Sequence, residues 1–106
     1  MQGYKMFIDD ERFPVDDSFT ICRSSNEAIN HVKANGLPIF VSFDHDLGGD
    51  DTSIIFINWL IEHILDNNLS FYERFDYYVH SQNPIGAVNI RNKIDSFIKY
   101  LRSVNA

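Results

Sequence analysis

Apolar segments of β type alternate along this chain with segments whose apolar residues recur at helical spacing, and no other feature constrains the fold as much. The chain reads strand, loop, strand, helix, strand, helix, strand and helix, with the β-type runs at residues 4–8, 19–22, 39–43 and 75–79. This alternation predicts an α/β domain whose strands are mostly parallel. We therefore expect a three-layer fold with a mostly parallel sheet of about four strands.

Capping residues mark where the predicted helices begin and end. Ser24 and Glu27 have the spacing of a capping box, and Gly36 stands where the first helix should end. Asn83, followed by a proline, suits the N-cap of the last helix. The middle helix, residues 52–67, is apolar over most of its circumference. So wide an apolar surface is either buried on two sides or covered by a partner, which would be a second copy of the chain or another protein.

The length and composition of the chain fit one soluble domain. Its 106 residues, 44% of them hydrophobic, suffice for one core, so we expect a single domain over residues 1–106. We assign Cys22, Trp59 and the Phe and Tyr residues to the core rather than to chemistry or to base stacking. No segment has the length and apolar character of a membrane span, and no signal peptide is visible, so we expect a cytoplasmic protein. The net charge of −6 argues against a duplex DNA partner.

Three polar clusters follow the first, third and fourth predicted strands. Because the carboxyl ends of parallel strands meet at one edge of a sheet, we expect these clusters to form one site. Carboxylates dominate the first two clusters, and oxygen ligands suit a hard divalent cation such as Mg²⁺ or Mn²⁺. We predict that the metal ligands are Asp9, Asp10, Asp44 and Asp46. The alternative is that they are ordinary carboxylates of loops and helix caps.

Two histidines accompany these carboxylates. His45 lies between Asp44 and Asp46, and His80 follows the fourth strand. Neighbouring carboxylates favour the charged form of a histidine and orient its ring. We therefore predict that His45 and His80 act as acid and base, one activating an attacking water and the other protonating the leaving oxygen, with Asp44 as the third catalytic residue. His45 could instead only bridge the carboxylates of its own loop.

The third cluster, at the start of the last helix, suits an anion. Free N–H groups and the helix dipole attract phosphate to a helix N-terminus. Ser81 and Asn83 offer polar contacts, Gly86 would let a ligand approach the backbone closely, and Arg12 adds a guanidinium. We predict that these four residues bind phosphate. The alternative readings are Asn83 as a plain N-cap and Gly86 as a packing residue.

Three motifs occur in this order: Asp-Asp-Glu-Arg-Phe-Pro at residues 9–14, Ser-Phe-Asp-His-Asp-Leu-Gly at residues 42–48, and His-Ser-Gln-Asn-Pro-Ile-Gly with Asn89 at residues 80–89. Together they resemble the cyclic-phosphate processing receiver-like domain family, which is related to the receiver domains of response regulators. The resemblance covers nearly the whole chain. It implies a flavodoxin-like, receiver-like fold and an activity on cyclic phosphates, with residues of all three motifs in the site.

The chain departs from a signalling receiver in two respects. A signalling receiver has five strands and a lysine after the last one, whereas here we count four strands and no such lysine. The segment 10–18 is too rich in proline and aspartate to form the first crossover helix. Transfer of a phosphoryl group to Asp44 is therefore the weakest of the functional hypotheses.

Two functions of different class remain. The first is a phosphoesterase, assisted by a divalent metal, that opens a cyclic phosphate. Its substrate would be a small nucleotide or an RNA end that carries a 2′,3′-cyclic phosphate. The second is a receiver-like module without enzymatic activity that binds a nucleotide or a protein partner. Turnover of the ligand distinguishes the two.

Overall fold

The structure is a computed structural model that describes residues 3–70 and 74–104. Its strands and helices follow the predicted order and lie close to the predicted positions. In chain order the elements are β1 (Lys5–Ile8), β2 (Phe19–Cys22), α1 (Ser25–Asn35), β3 (Phe40–Phe43), α2 (Ser53–Asp66), β4 (Asp76–Val79) and α3 (Pro84–Val104). The α/β class expected from the alternation is confirmed.

The four strands form one parallel sheet in the order β2-β1-β3-β4. This is the strand order of flavodoxin-like folds without an outer fifth strand. The chain leaves β1 toward one edge of the sheet and leaves β3 toward the other, so the direction switches between these two central strands. Ile8 pairs with Phe43 in the register of β1 and β3. Asp9 and Asp44, one residue beyond each strand, therefore lie side by side.

The helices pack on one face of this sheet. The β2–α1–β3 and β3–α2–β4 connections advance in the same direction across the sheet, and right-handed crossovers then place α1 and α2 on the same side. Helix α2 packs against α1 on one side and α3 on the other. The strand residues that face the helices are fully buried and form the core with them: Met6, Ile8, Val41 and Phe43.

The central position of α2 explains its apolar circumference. Phe56, Ile57, Leu60 and Ile64 are buried, and Trp59 packs partly against the same core. Burial on two sides, one of the two readings of this helix, therefore accounts for most of its apolar residues. The apolar surface along residues 52–67, which suggested a partner, is therefore covered largely by other parts of the same chain.

The expectation of three layers is wrong, because the described helices cover only one face of the sheet. In the part of the chain that the structure describes, no helix covers the opposite face, so the domain has two layers. The physical reason is that β1 runs into a loop instead of a crossover helix, and no fifth strand brings the chain back across the sheet. Three aromatic residues assigned to the core from sequence lie on this uncovered face without full burial, namely Phe19, Phe40 and Tyr78, whereas Phe7 on the same face is buried, as assigned.

Local interactions agree with the predicted helix boundary at α1. The Ser24 side chain accepts a hydrogen bond from the backbone N–H of Glu27, and Gly36 ends the helix at a positive φ of 87°. Cys22 is buried in the core, and burial raises the pKa of its thiol to about 11. Within residues 3–70 and 74–104, no helix combines the length and apolar character required to cross a membrane.

Candidate functional site

The three polar clusters meet at the carboxyl edge of the sheet, as expected from parallel strands. They line an open cavity of about 540 Å³ above the junction of β1 and β3. The cavity is lined by residues that follow β1, β3 and β4: Asp10, Glu11, Arg12, Asp44, Asp46, Gly48, Ser81, Gln82 and Asn83. Among the described residues no lysine lines this cavity, which agrees with the departure from signalling receivers noted above.

Asp9 is a fully buried carboxylate at the base of this site. Its Oδ1 accepts hydrogen bonds from the backbone N–H groups of Glu11 and Arg12, both at 2.9 Å. Its Oδ2 contacts Arg12 Nε and His80 Nε2, also at 2.9 Å. Burial raises the pKa of Asp9, but the hydrogen bonds from Arg12, Glu11 and His80 outweigh it and bring the pKa below its ordinary value. Asp9 is therefore an ionised carboxylate whose four acceptor sites are all in use.

Asp10 and Asp44 complete a group of three carboxylates with Asp9. One oxygen from each lies within 4.8 Å of the others. Asp44 accepts a hydrogen bond from the backbone N–H of His45 at 2.9 Å, whereas Asp10 is exposed and faces the cavity. Such a set of oxygen donors fits a hard divalent cation, which often needs only one or two carboxylates besides water and phosphate. Because Asp9 is saturated with hydrogen bonds, the carboxylates open to a cation are those of Asp10 and Asp44.

Arg12 joins two of these carboxylates. Its Nε donates to Asp9 Oδ2 at 2.9 Å, and its Nη2 lies 3.3 Å from Asp44 Oδ2. Burial lowers the pKa of the guanidinium, but the combined effect of Asp9 and Asp44 outweighs it and raises the pKa, so Arg12 is a permanent cation. The side chain remains 40% exposed. Arg12 thus balances the charge of the acidic group and lines the cavity, and its role in phosphate binding stays a prediction.

His80 lies beneath the cavity rather than in its wall. Its Nε2 contacts Asp9 Oδ2 and its Nδ1 contacts Ser42 Oγ at 2.7 Å. Because ionised Asp9 can only accept a hydrogen bond, we assign the proton to Nε2, and Nδ1 then accepts from the Ser42 hydroxyl. The ring is stacked on Phe7 with centroids 4.6 Å apart. Both ring nitrogens have protein partners, which differs from the prediction of a histidine that faces the ligand.

His45 is held in a similar way behind Asp46. Its Nδ1 lies 3.0 Å from Asp46 Oδ1, and Asp46 Oδ2 accepts a hydrogen bond from Asn83 Nδ2 at 3.1 Å. The hydrogen bonds from His45 and then Asn83 lower the pKa of Asp46. Asp46 lines the cavity and is 63% exposed, whereas the ring of His45 does not line it. Asp46 is thus outside the group of three carboxylates, and His45 reaches the cavity only through it.

The start of α3 is a closed helix cap. The N–H of Asn83 donates to Ser81 Oγ at 3.1 Å, and the N–H of Gly86 donates to Asn83 Oδ1 at 3.0 Å. Ser81 and Asn83 line the cavity, as predicted, but Gly86 does not. A Cβ at Gly86 would lie 2.4 Å from Cγ of His45. The prediction of Gly86 as a phosphate ligand is therefore corrected: its N–H is already bonded, and its small size makes room for the His45 ring.

The residues that sequence reasoning missed at this site include Ser42 and Gly48, besides Glu11 and Gln82 in the cavity wall. Ser42 is a buried polar residue in an apolar strand run, two residues before Asp44, and this position was the available signal. Gly48 has a positive φ of 93°, and a Cβ there would lie 3.5 Å from Asp10 Oδ2. Glycine is favoured here because side chains rarely adopt this backbone conformation.

Comparison with known proteins agrees with this arrangement. The sequence matches the family described as the cyclic-phosphate processing receiver domain over residues 4–96. No curated protein and no solved structure matches the chain at a significant level. The matched region includes all four strands and the whole cavity, and the parallel sheet has the strand order of a receiver-like fold. The chain therefore belongs to the family of cyclic-phosphate processing receiver domains.

Proposed function

We propose that this chain is a phosphoesterase that opens a cyclic phosphate with the help of a divalent cation. The observation that carries the proposal is the group formed by Asp9, Asp10 and Asp44, with their oxygens within 4.8 Å and Arg12 beside them in one open cavity. A cavity lined only by carboxylates would repel an anionic substrate. A cation together with Arg12 offsets that repulsion and suits phosphoester chemistry.

Asp10 and Asp44 would hold the cation, Mg²⁺ or Mn²⁺. Asp9 would contribute indirectly, because its four hydrogen bonds fix Arg12 and His80 in place. When bound, the cation supplies electrostatic stabilisation of the negative charge that develops on the phosphoryl oxygens. We therefore assign the metal contact to two of the four carboxylates named from the sequence, and give Asp9 and Asp46 other roles.

The phosphate would lie between Arg12 and the cap of α3. Arg12, Ser81 and Asn83 all line the cavity, and the Arg12 side chain is 40% exposed. The guanidinium offers a charge-assisted hydrogen bond to a phosphate oxygen. The N-terminus of α3 adds the positive end of the helix dipole.

Opening of the ring needs a water molecule and a proton transfer. The water oxygen bonds to phosphorus, one ring P–O bond breaks, and a proton from the water ends on the released alkoxide oxygen, which gives a phosphomonoester. We assign the orientation of this water to Asp46, because it lines the cavity, is not part of the group of three carboxylates, and has its pKa lowered by hydrogen bonds from His45 and Asn83. His45 backs Asp46 through Nδ1, and His80 holds Asp9, so both histidines act as positioning residues.

A second candidate function is binding without turnover. It is favoured by the histidines themselves, since neither imidazole ring lines the cavity and His80 has both ring nitrogens in hydrogen bonds. A cavity without a free imidazole lacks the group most often used for proton transfer near neutral pH. Such a protein would bind a cyclic phosphate or nucleotide and release it unchanged.

The test is an incubation of the pure protein with 2′,3′-cyclic mononucleotides, a short RNA with a 2′,3′-cyclic end, and cyclic dinucleotides. Each ligand is tested with Mg²⁺, with Mn²⁺ and with EDTA. Asp44→Asn and Asp10→Asn remove the proposed metal contacts, whereas Asp50→Asn alters an exposed carboxylate outside the cavity and serves as the control. We expect metal-dependent ring opening that the first two variants lose and the control keeps. Binding of a ligand that is recovered unchanged in every arm would refute the enzyme and support the second function.

A further inference from the structure

The uncovered face of the sheet carries a groove lined by aromatic rings. We call it the aromatic groove and define it by five residues, Phe7, Phe13, Phe19, Phe40 and Tyr78. Its cavity has a volume of about 340 Å³, which lies within the usual range for small-molecule sites. The rings of Phe7 and Phe19, and those of Phe19 and Phe40, meet edge to face with centroids about 6 Å apart. The floor of the groove is therefore a packed aromatic surface.

Exposure of this surface is unusual for a parallel sheet. Parallel sheets are normally covered on both faces, because their crossover helices lie on both. Here Phe13 is 75% exposed and Tyr78 is 61% exposed, with Val15 beside them almost fully exposed. Phe13 is nevertheless fixed in position, since the guanidinium of Arg23 lies 4.7 Å from the centre of its ring. The groove therefore presents the rings of Phe13 and Tyr78 to solvent, whereas Phe7 is buried in its floor against His80.

The groove is continuous with the cavity that we assign to the phosphate. Arg12 lines both cavities, with its guanidinium on Asp9 and Asp44. His80 also lines the groove and is bonded to Asp9 from that side. A ligand whose phosphate contacts Arg12 can therefore extend past this side chain and reach the aromatic rings.

We propose that the aromatic groove binds the planar base of the nucleotide whose cyclic phosphate lies in the polar cavity. This inference rests on the proposed function and narrows its substrates to cyclic phosphates that carry a base. Stacking between a base and aromatic side chains is the interaction that such a surface favours, and it tolerates any base because each has a π-face. Arg12 adds a polar group where the groove meets the phosphate cavity. The shared wall at Arg12 favours this occupant over a second copy of the chain, which would have no reason to adjoin the phosphate site.

The experiment compares adenosine 2′,3′-cyclic phosphate with ribose 2′,3′-cyclic phosphate, which lacks the base. Affinity is measured by calorimetry and ring opening by the rate of product formation, in the presence of Mg²⁺. Tyr78→Ala and Phe13→Ala remove the exposed rings of the groove. Tyr100→Ala is the matched control, because Tyr100 is 51% exposed on α3 and belongs to a different cavity. Circular dichroism confirms that each variant is folded.

We expect Tyr78→Ala and Phe13→Ala to weaken binding of the adenosine compound by about 5- to 100-fold and to leave the ribose compound unchanged. Equal affinity of the natural chain for both compounds, or an equal loss for both in the variants, would overturn the groove as a base site. Discrimination in binding without ring opening would refute the proposed enzyme and leave the base site standing. A dimer in sedimentation that Tyr78→Ala dissociates, with ligand affinities unchanged, would show that a second copy covers the face and would also overturn the proposal.

Discussion

Replacement of Gly86 by alanine tests the packing that holds the His45–Asp46 pair in place. The added Cβ would lie 2.4 Å from Cγ, 2.7 Å from Cδ2 and 2.8 Å from Cβ of His45. These atoms are close to the backbone of His45, and its side chain is only 15% exposed, so the ring cannot simply swing aside. The imidazole must move away from α3, and the 3.0 Å contact with Asp46 would be lengthened or lost.

Two opposing effects determine the change in the free energy of unfolding. Insertion of a methyl group into a packed contact costs about 1–3 kcal/mol. Replacing a helical glycine by alanine stabilises a helix by up to about 1 kcal/mol, and less at the first turn, where Gly86 lies. We therefore expect Gly86→Ala to destabilise the protein by about 1–2 kcal/mol, because the steric cost exceeds the gain in helix propensity.

The double-mutant cycle with His45→Ala separates these effects. Once the imidazole is removed, the alanine at position 86 meets no ring, and Gly86→Ala should become neutral or stabilising by a few tenths of a kcal/mol. Urea denaturation of the natural chain, both single variants and the double variant gives the coupling energy, which we expect to be about 1–3 kcal/mol. The same change in both backgrounds, with a coupling below about 0.5 kcal/mol, would refute the proposed contact between Gly86 and His45.

Three further predictions concern the acidic group and the core. The pKa of Asp9 is lowered in the folded chain, so its ionised carboxylate stabilises the fold above the unfolded pKa of about 3.9, and this stability is lost as pH falls through the folded-state pKa. Asp9→Asn should lower the free energy of unfolding by roughly 2 kcal/mol at pH 7 and should weaken its decrease at acid pH, as measured by urea denaturation. An unchanged pH dependence in the variant would contradict this role of Asp9. The guanidinium of Arg12 and a bound Mg²⁺ would compete for the carboxylate of Asp44, so Arg12→Ala should tighten Mg²⁺ binding and weaken the binding of inorganic phosphate in calorimetry. Weaker Mg²⁺ binding in the variant would argue against this competition. Phe56→Ala, in the buried face of α2, should cost about 3–5 kcal/mol in thermal or urea unfolding, and a loss below 1 kcal/mol would place that side chain outside the core.

The parallel sheet and its helices could be predicted because local sequence determines them. The apolar run at residues 39–43 becomes β3, and the helix predicted at residues 52–67 becomes α2 (Ser53–Asp66). The number of layers could not be predicted as reliably. The sequence did indicate that residues 10–18 form no crossover helix, but the face of the sheet on which each remaining helix lies does not follow from the alternation of elements alone.

The carboxylates of the site were placed more accurately than the histidines. Asp9 and Asp44 follow adjacent parallel strands, so the register alone brings them together. His80 lies two residues after Tyr78, and the alternation of side chains along a strand places both on the uncovered face. The partners of its two ring nitrogens, Asp9 and Ser42, come from different strands and become visible only in the folded chain.

Phosphorus NMR follows the proposed opening of a cyclic phosphate at the phosphorus atom itself. Adenosine 2′,3′-cyclic phosphate is incubated with the protein and Mg²⁺, with Asp44→Asn as the matched sample. We expect the resonance of the cyclic phosphate to be replaced by that of a phosphomonoester with the natural chain, and to persist with Asp44→Asn or with EDTA. A cyclic resonance that persists with the natural chain in Mg²⁺ and in Mn²⁺, while the ligand is bound, would refute the proposed phosphoesterase.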